Sequence, residues 1–143
     1  MVTTNGSIQN AKLVQEYLKN LAEQEKLWLA VGTGNDSWDN SLPTVIKNTV
    51  KLTNECFRVK VNPDDIVLVE VDKTADDDIV TDSGTTIRIL GNIVCPMKPL
   101  REYGLFIDGT EIADSGILYS YDVHSKIVLG QLNLCLKYVY INF

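Results

Sequence analysis

The class of fold is decided by residues 11–34, which read AKLVQEYLKNLAEQEKLWLAVGTG. In the first part of this stretch, apolar side chains recur at steps of three and four residues, a spacing that places them on one face of an α-helix. In the second part, five consecutive apolar residues precede a Gly-Thr-Gly sequence, which is typical of a short buried strand that ends in a turn. We therefore predict one amphipathic helix over about residues 7–25, capped by Ser7 or Asn5, and a strand directly after it.

The rest of the chain has the alternating pattern of β-strands. Residues 57–61 and 86–89 alternate between apolar and polar or charged side chains. Residues 117–123 and 132–141 also alternate, and the length of the second segment suits a central strand of a sheet. We therefore expect the chain after the helix to be built almost entirely from strands.

Short turn sequences separate these strands and favour antiparallel pairing. We predict tight turns at Asp108-Gly109, at Gly91-Asn92 and at Asp82-Ser83-Gly84. Together these features predict an α+β fold in which the N-terminal helix packs on an antiparallel β-sandwich or open barrel. The length predicts a single domain over residues 1–143, with the β-rich part over residues 27–143.

Composition and charge narrow the classes of partner. The chain has 143 residues, with 13 Lys and Arg against 19 Asp and Glu, and a formal net charge of −6. Nucleic acids and anionic membranes require clustered basic side chains, so we expect no nucleic-acid and no membrane partner. No stretch approaches the ~20 apolar residues that cross a bilayer. The polar N-terminus does not have the pattern of a signal peptide, so we expect folding in a cytoplasm.

Residue types that carry catalysis or bind metals are not arranged in a recognisable pattern. His124 is the only histidine, and its spacing from the three cysteines does not indicate a Cys–His pair. The acidic residues between positions 72 and 82 do not match a calcium-binding loop, and Gly-Thr-Gly lacks the Lys-Ser/Thr of a phosphate-binding loop. We predict no enzymatic activity, no catalytic residues, no cofactor and no metal. A small hydrolase that uses Cys56 or Cys135 with His124 is the least favoured alternative.

Two aromatic features are candidates for a partner interface. Trp38 lies in a polar stretch, where it is expected either to fold back over the open end of the core, to anchor a partner or to stack on a sugar. The tyrosines at positions 119, 121, 138 and 140 are expected either to pack half-buried on a sheet or to line one exposed face. The loop at residues 35–48 and the exposed side of the helix are further candidates. The predicted interface residues are Trp38, Asp36, Asp39, Tyr119 and Tyr121.

The order of the segments shows a resemblance to a known family. A polar start and an amphipathic helix lead into LWLAVGTG (27–34), a Trp-containing polar loop and LTNECFR (52–58). Much later come LREYGLF (100–106) and the Asp-Gly sequence. This succession resembles the phage tail-collar fibre family. Its attachment domains have a helix, an L-A-L/V-G-T/D-G strand and turn, an L-x-x-E-x-x-R element, an R/T-E-I/Y-G-L-F strand and a final alternating strand.

The resemblance implies a structural protein of the virion. It implies an adaptor of the tail, collar or baseplate that binds other phage tail proteins, forms a homo-oligomer and becomes part of the virion after assembly in the host cytoplasm. Because no fibre shaft follows Phe143 in this sequence, we expect an adaptor rather than a receptor-reaching fibre. The alternative is a tail-fibre module that binds host-surface carbohydrate through Trp38 and the tyrosines.

Overall fold

The computed structural model describes residues 1–71, 78–94, 98–128 and 134–143. In these residues the chain forms one α-helix, α1 (Thr4–Glu23), eight strands and two short 3₁₀ helices, Asp36–Asp39 and Pro63–Asp65. The strands are β1 (Trp28–Gly32), β2 (Glu55–Lys60), β3 (Ile66–Val71), β4 (Asp78–Val80), β5 (Thr86–Val94), β6 (Leu100–Ile107), β7 (Ile117–Ile127) and β8 (Leu134–Asn142).

The strands form two antiparallel sheets of four strands each. The first sheet has the order β2-β1-β6-β7, and the second has the order β4-β3-β5-β8. The helix contacts β3 and β5, and its buried side chains share one apolar core with side chains of both sheets. Those helical side chains are Ala11, Leu18, Leu21 and Ala22. The predicted α+β fold, a helix packed on an antiparallel β-sandwich, is confirmed.

The helix begins and ends earlier than the apolar spacing predicts. Thr3 is its N-cap, because the Thr3 hydroxyl accepts a hydrogen bond from the amide of Gly6 at 3.1 Å. The predicted caps, Ser7 and Asn5, both lie inside the helix. Beyond the last helical residue, Glu25 adopts a left-handed φ of +60°, which turns the chain towards β1.

The predicted turn at Gly91-Asn92 is wrong. Both residues lie within the continuous strand β5, where they pair with Lys137 and Leu136 of β8. A Cβ atom at Gly91 would collide with the side chain of Leu29 on the other sheet. The glycine therefore allows the two sheets to approach each other rather than allowing the chain to turn.

The predicted two-residue hairpin at Asp108-Gly109 is also wrong. Residues 108–116 connect β6 to β7 as a longer loop. Asp108 has a positive φ of +53°, but Gly109 does not have the positive φ that a type I′ turn requires. The third predicted turn is present between β4 and β5, where the amide of Gly84 donates to the carbonyl of Thr81 at 3.2 Å.

Candidate functional site

The predicted interface residues gather around one connection of the first sheet. Residues 33–54 join β1 to β2, and we call them the long loop. The long loop contains Trp38, Asp36 and Asp39, and its residues Val45 and Ile46 line two cavities against β7. Those cavities, of about 180 and 150 Å³, are bordered by Tyr119 and Tyr121 and by Trp38 and Tyr121, respectively. The fold therefore brings the predicted residues to one side of the molecule.

A single buried carboxylate holds both ends of the long loop. The side chain of Glu102 on β6 is fully buried. Its Oε2 atom accepts hydrogen bonds from the amides of Gly34 at 2.9 Å and Asn54 at 2.8 Å. Its Oε1 atom accepts from the amide of Thr53 and from the hydroxyl of Tyr121, both at 2.8 Å. Because hydrogen bonds to an ionised acceptor are the strong ones in proteins, Glu102 fixes where the loop leaves and rejoins the sheet.

Contacts between the two ends of the long loop complete this anchor. The amide of Thr33 donates to the carbonyl of Asn54 at 2.9 Å, and the Asn54 side chain donates to the carbonyl of Gly34 at 2.7 Å. A Cβ atom at Gly32 would lie only 2.5 Å from a carboxylate oxygen of Glu102. Gly32 therefore provides the space for the carboxylate, and Gly34, at φ +58°, provides the turn out of the strand.

An ion pair between Arg101 and Asp39 anchors the first part of the long loop. The guanidinium of Arg101 donates two hydrogen bonds to the carboxylate of Asp39, at 2.8 and 3.0 Å, and a third to the carbonyl of Thr33 at 2.8 Å. These hydrogen bonds lower the pKa of Asp39. Asp39, predicted to contact a partner, therefore has a structural partner within the chain. Asp36 lies in the same 3₁₀ helix and is exposed.

Trp38 folds back onto the long loop. Its side chain is partly buried, and its ring lies so close to Gly34 that a Cβ atom there would collide with it. The backbone amide of Trp38 also donates to the carbonyl of Asn35 at 3.0 Å. One edge of the ring borders the cavity shared with Tyr121. Trp38 therefore supports the shape of the loop, while part of its surface stays accessible.

The two predicted tyrosines have different environments. Tyr121 is partly buried, and burial together with its hydrogen bond to Glu102 raises the pKa of its hydroxyl. Tyr119 remains 39% exposed beside the long loop. Tyr121 therefore belongs to the anchor, and Tyr119 is available to a partner.

The end of the long loop also adds an apolar side chain to the outer face of the first sheet. Leu52 is buried against Ala30 and Phe106. A Cβ atom at Gly104 would lie 2.8 Å from the Leu52 side chain and 2.7 Å from that of Leu118. The close approach of these two side chains explains the glycine in the interior of β6.

A buried ion pair on β2 holds the loop at residues 108–116. Glu55 and Arg58 on β2 form two hydrogen bonds of 2.7 Å, and their side chains are almost completely buried. The same guanidinium donates to the carbonyls of Thr110 at 2.9 Å and Ser115 at 3.1 Å, and it lies 4.6 Å from the ring centre of Phe106. Because the loop at 108–116 wraps around Arg58, it is longer than a two-residue turn.

The middle of the long loop exposes four large apolar side chains among polar ones. We call residues 42–50 the apolar tip. Its exposed hydrophobic side chains are Leu42 (44%), Val45 (40%), Ile46 (59%) and Val50 (74%). Clustered exposed apolar side chains mark surfaces that contact other proteins. The candidate site therefore combines an exposed apolar tip with buried polar anchors at its ends.

The groups considered for catalysis are separated by the fold. Cys56 lies on β2 and His124 lies on β7, which are the two edge strands of the first sheet. Three strand spacings of about 4.8 Å, or about 14 Å in all, therefore separate them. His124 stacks on Tyr103 with 5.9 Å between the ring centres, and burial raises the pKa of Cys56. Cys95 and the side chain of Cys135 lie outside the described part of the structure.

The predicted acidic cluster is only partly described. Residues 72–77 lie outside the described residues, and Asp78 accepts hydrogen bonds from Arg88 at 3.3 Å and from the Tyr140 hydroxyl at 2.8 Å. Within the described ranges, no group of three or more His, Cys, Asp and Glu side chains is placed to hold a metal ion. The same part of the chain contains no helix that is both long and apolar enough to cross a membrane.

Glu102 and Arg101 are site residues that local sequence patterns do not reveal. The available signal was two adjacent charges inside the otherwise apolar strand LREYGLFI (100–107). Buried charges in proteins are paired, so such charges indicate partners elsewhere in the chain. Their partners come from the long loop, about 50 to 70 residues earlier, where no local pattern connects them.

Comparison with protein-family models and with curated proteins found no match for this chain. The resemblance to the tail-collar fibre family stays a prediction from the order of the sequence motifs.

Proposed function

We propose that the protein is a non-enzymatic structural component of a phage tail, an adaptor of the collar or baseplate. In this role it assembles with copies of itself and with other tail proteins in the virion, and the long loop is its docking element. The observation that carries the proposal is the buried Glu102 carboxylate, which fixes both ends of a loop whose tip exposes apolar side chains.

A fixed loop with an apolar tip is suited to docking. Association loses free energy when mobile segments become ordered, so a loop that is ordered beforehand binds more tightly for the same contact area. Apolar side chains at the centre of an interface supply much of the binding energy, and repeated contacts around a tail axis add avidity. The anchors at Glu102 and Arg101 provide the order, and the apolar tip provides the contact surface.

The residues that carry the family resemblance are those that build the anchors. In the L-x-x-E-x-x-R element, Leu52 packs on the sheet, and Glu55 forms its ion pair with Arg58. In the later R-E-Y-G-L-F strand, Arg101 and Glu102 hold the long loop. This gives the motifs a physical role in this chain, which supports the comparison with tail-collar proteins.

A mass measurement tests the proposed function. The purified chain is analysed by light scattering, alone and mixed with the products of neighbouring genes, and we expect masses above the 16.0 kDa monomer and complexes with tail proteins. Ile46→Asp places a charge in the apolar tip and should weaken assembly about 30-fold, as expected for a central interface residue of about 2 kcal/mol. Ile79→Asp, at an exposed apolar position on β4, is the matched control. A strict monomer that binds none of these proteins would refute the proposal.

The second candidate function, binding of host-surface carbohydrate, is favoured by a different surface. On β8, Tyr138 and Tyr140 are 41% and 42% exposed, and the Arg88 guanidinium lies 5.0 Å from the ring centre of Tyr138. Exposed aromatic rings next to polar groups are suited to stacking on sugars. A glycan-array signal that is lost in Trp38→Ala or Tyr138→Ala would favour this candidate over the adaptor, and a silent array would favour the adaptor.

A further inference from the structure

The apolar tip has a positive rim on an otherwise acidic protein. Lys47 and Lys51 are exposed in this part of the long loop, and residues 40–54 contain no Asp or Glu. The whole chain has a net charge of −6, so this segment differs in sign from its surroundings. A partner surface that fits it is therefore a concave one with apolar walls and an excess of carboxylates.

A groove with these properties exists on the same protein. Its volume is about 420 Å³, and it lies between the end of α1, the end of β2 and the middle of β5. Ala22, Val59 and Leu90 contribute apolar side chains to its lining. The charged side chains in the lining are Glu23, Glu25, Asp65 and Lys60. The groove therefore has more negative than positive groups, opposite in sign to the apolar tip.

The two ends of the long loop and the groove lie at opposite ends of the β1–β2 pair. β1 runs from Trp28, near the groove, to Gly32, where the long loop begins, and β2 returns from Glu55 to Lys60 in the groove lining. Five residues of strand correspond to about 16 Å. The tip itself lies against residues 118–121 of β7, at the edge of the first sheet opposite to β2, so three strand spacings, about 14 Å, separate it from the groove of its own chain.

We propose that the apolar tip of one copy docks into the acidic groove of the next copy, in a head-to-tail contact. This inference rests on the proposed function, because it names a second copy of this chain as the partner of the docking element. A contact between two different surfaces repeats from copy to copy and closes into a ring when the rotation allows. Opposite charges on the two surfaces set the direction of the contact and oppose tip-to-tip and groove-to-groove pairing.

Charge reversal tests the contact with the full-length protein. The tip variant carries Lys47→Glu and Lys51→Glu, and the groove variant carries Glu23→Lys and Glu25→Lys. Each variant alone should elute as a 16.0 kDa monomer, because its tip and groove have the same sign. A chain that carries all four substitutions should regain the wild-type assembly mass, because its tip and groove again have opposite signs.

The outcomes separate this inference from the proposed function. Circular dichroism and thermal unfolding must show that both variants remain folded, as expected for exposed side chains. Assembly that is unchanged in both variants, or a chain with all four substitutions that stays monomeric, would overturn the head-to-tail contact. A wild-type monomer that still forms complexes with neighbouring tail proteins would overturn the contact and leave the proposed function in place.

Discussion

Replacing Glu102 by glutamine tests the anchor of the long loop at almost unchanged side-chain volume. The carboxylate accepts hydrogen bonds from the amides of Gly34, Thr53 and Asn54 and from the hydroxyl of Tyr121. Glutamine has one oxygen and one NH₂ group in place of the two carboxylate oxygens. If the NH₂ group takes the place of Oε1, it faces the backbone amide of Thr53 and the hydroxyl of Tyr121. The hydroxyl can rotate and accept a hydrogen bond, but the amide of Thr53 cannot. One buried N–H is left unsatisfied, at about 1–3 kcal/mol, and the remaining bonds lose their charge-assisted strength. We expect the free energy of unfolding to fall by about 3 kcal/mol.

Urea unfolding measures this change, and the melting temperature should fall by about 6–12 °C. Hydrogen exchange gives the local readout, because the amides of Gly34, Thr53 and Asn54 should exchange faster than the amides of β1. Glu16→Gln, at an exposed position on α1, is the matched control and should leave both measurements unchanged. Wild-type stability together with wild-type exchange at these three amides would refute the anchoring role of Glu102.

Three further predictions follow from the packing and the charges. Gly91→Ala places a Cβ atom against Leu29 and should lower the free energy of unfolding by about 1–3 kcal/mol in urea, whereas an unchanged value would show that the sheets have room there. Asp39, whose pKa is lowered from 3.8 by its hydrogen bonds with Arg101, contributes stability that is complete above that pH and is lost as the pH falls through the folded-state pKa. Asp39→Asn should remove this part of the acid dependence of unfolding curves, and identical pH profiles would contradict it. Arg58→Lys removes the bidentate hydrogen bonds to the buried carboxylate of Glu55 and should lower the free energy of unfolding, measured in urea, by about 3 kcal/mol. A loss below about 1 kcal/mol would argue against a buried ion pair.

The helix and the strands were predictable because each depends on a local period of apolar residues. Helical spacing of apolar residues predicts α1, and alternation of apolar and polar residues predicts β2, β5 and β7. These patterns are visible in the sequence because each element buries one face along a continuous stretch of chain. The segment predicted as a central strand is instead β8, an edge of the second sheet. Strand length alone does not determine position in a sheet. Residues 132 and 133 of that segment lie outside the described residues.

The turns and the anchors were not predictable to the same extent because they depend on distant residues. Gly91 was interpreted as a turn residue, although its role is defined by Leu29 on the other sheet, about 60 residues earlier. The loop at 108–116 takes its length from Arg58, whose guanidinium it surrounds. Glu102 likewise binds both ends of the long loop across the fold. Local sequence patterns show that such residues are unusual but do not identify their partners.

The most direct test of the proposed docking element is site-specific photo-crosslinking from the apolar tip. A photoreactive amino acid is placed at Ile46, and a control variant carries it at Ile79 on β4, which is also exposed. Each variant is mixed with the purified products of neighbouring tail genes and irradiated, and mass spectrometry identifies the products. The account predicts adducts from position 46 to a second copy of the chain or to a tail protein, and none from position 79. Adducts from position 79 alone, or from neither position, would contradict it.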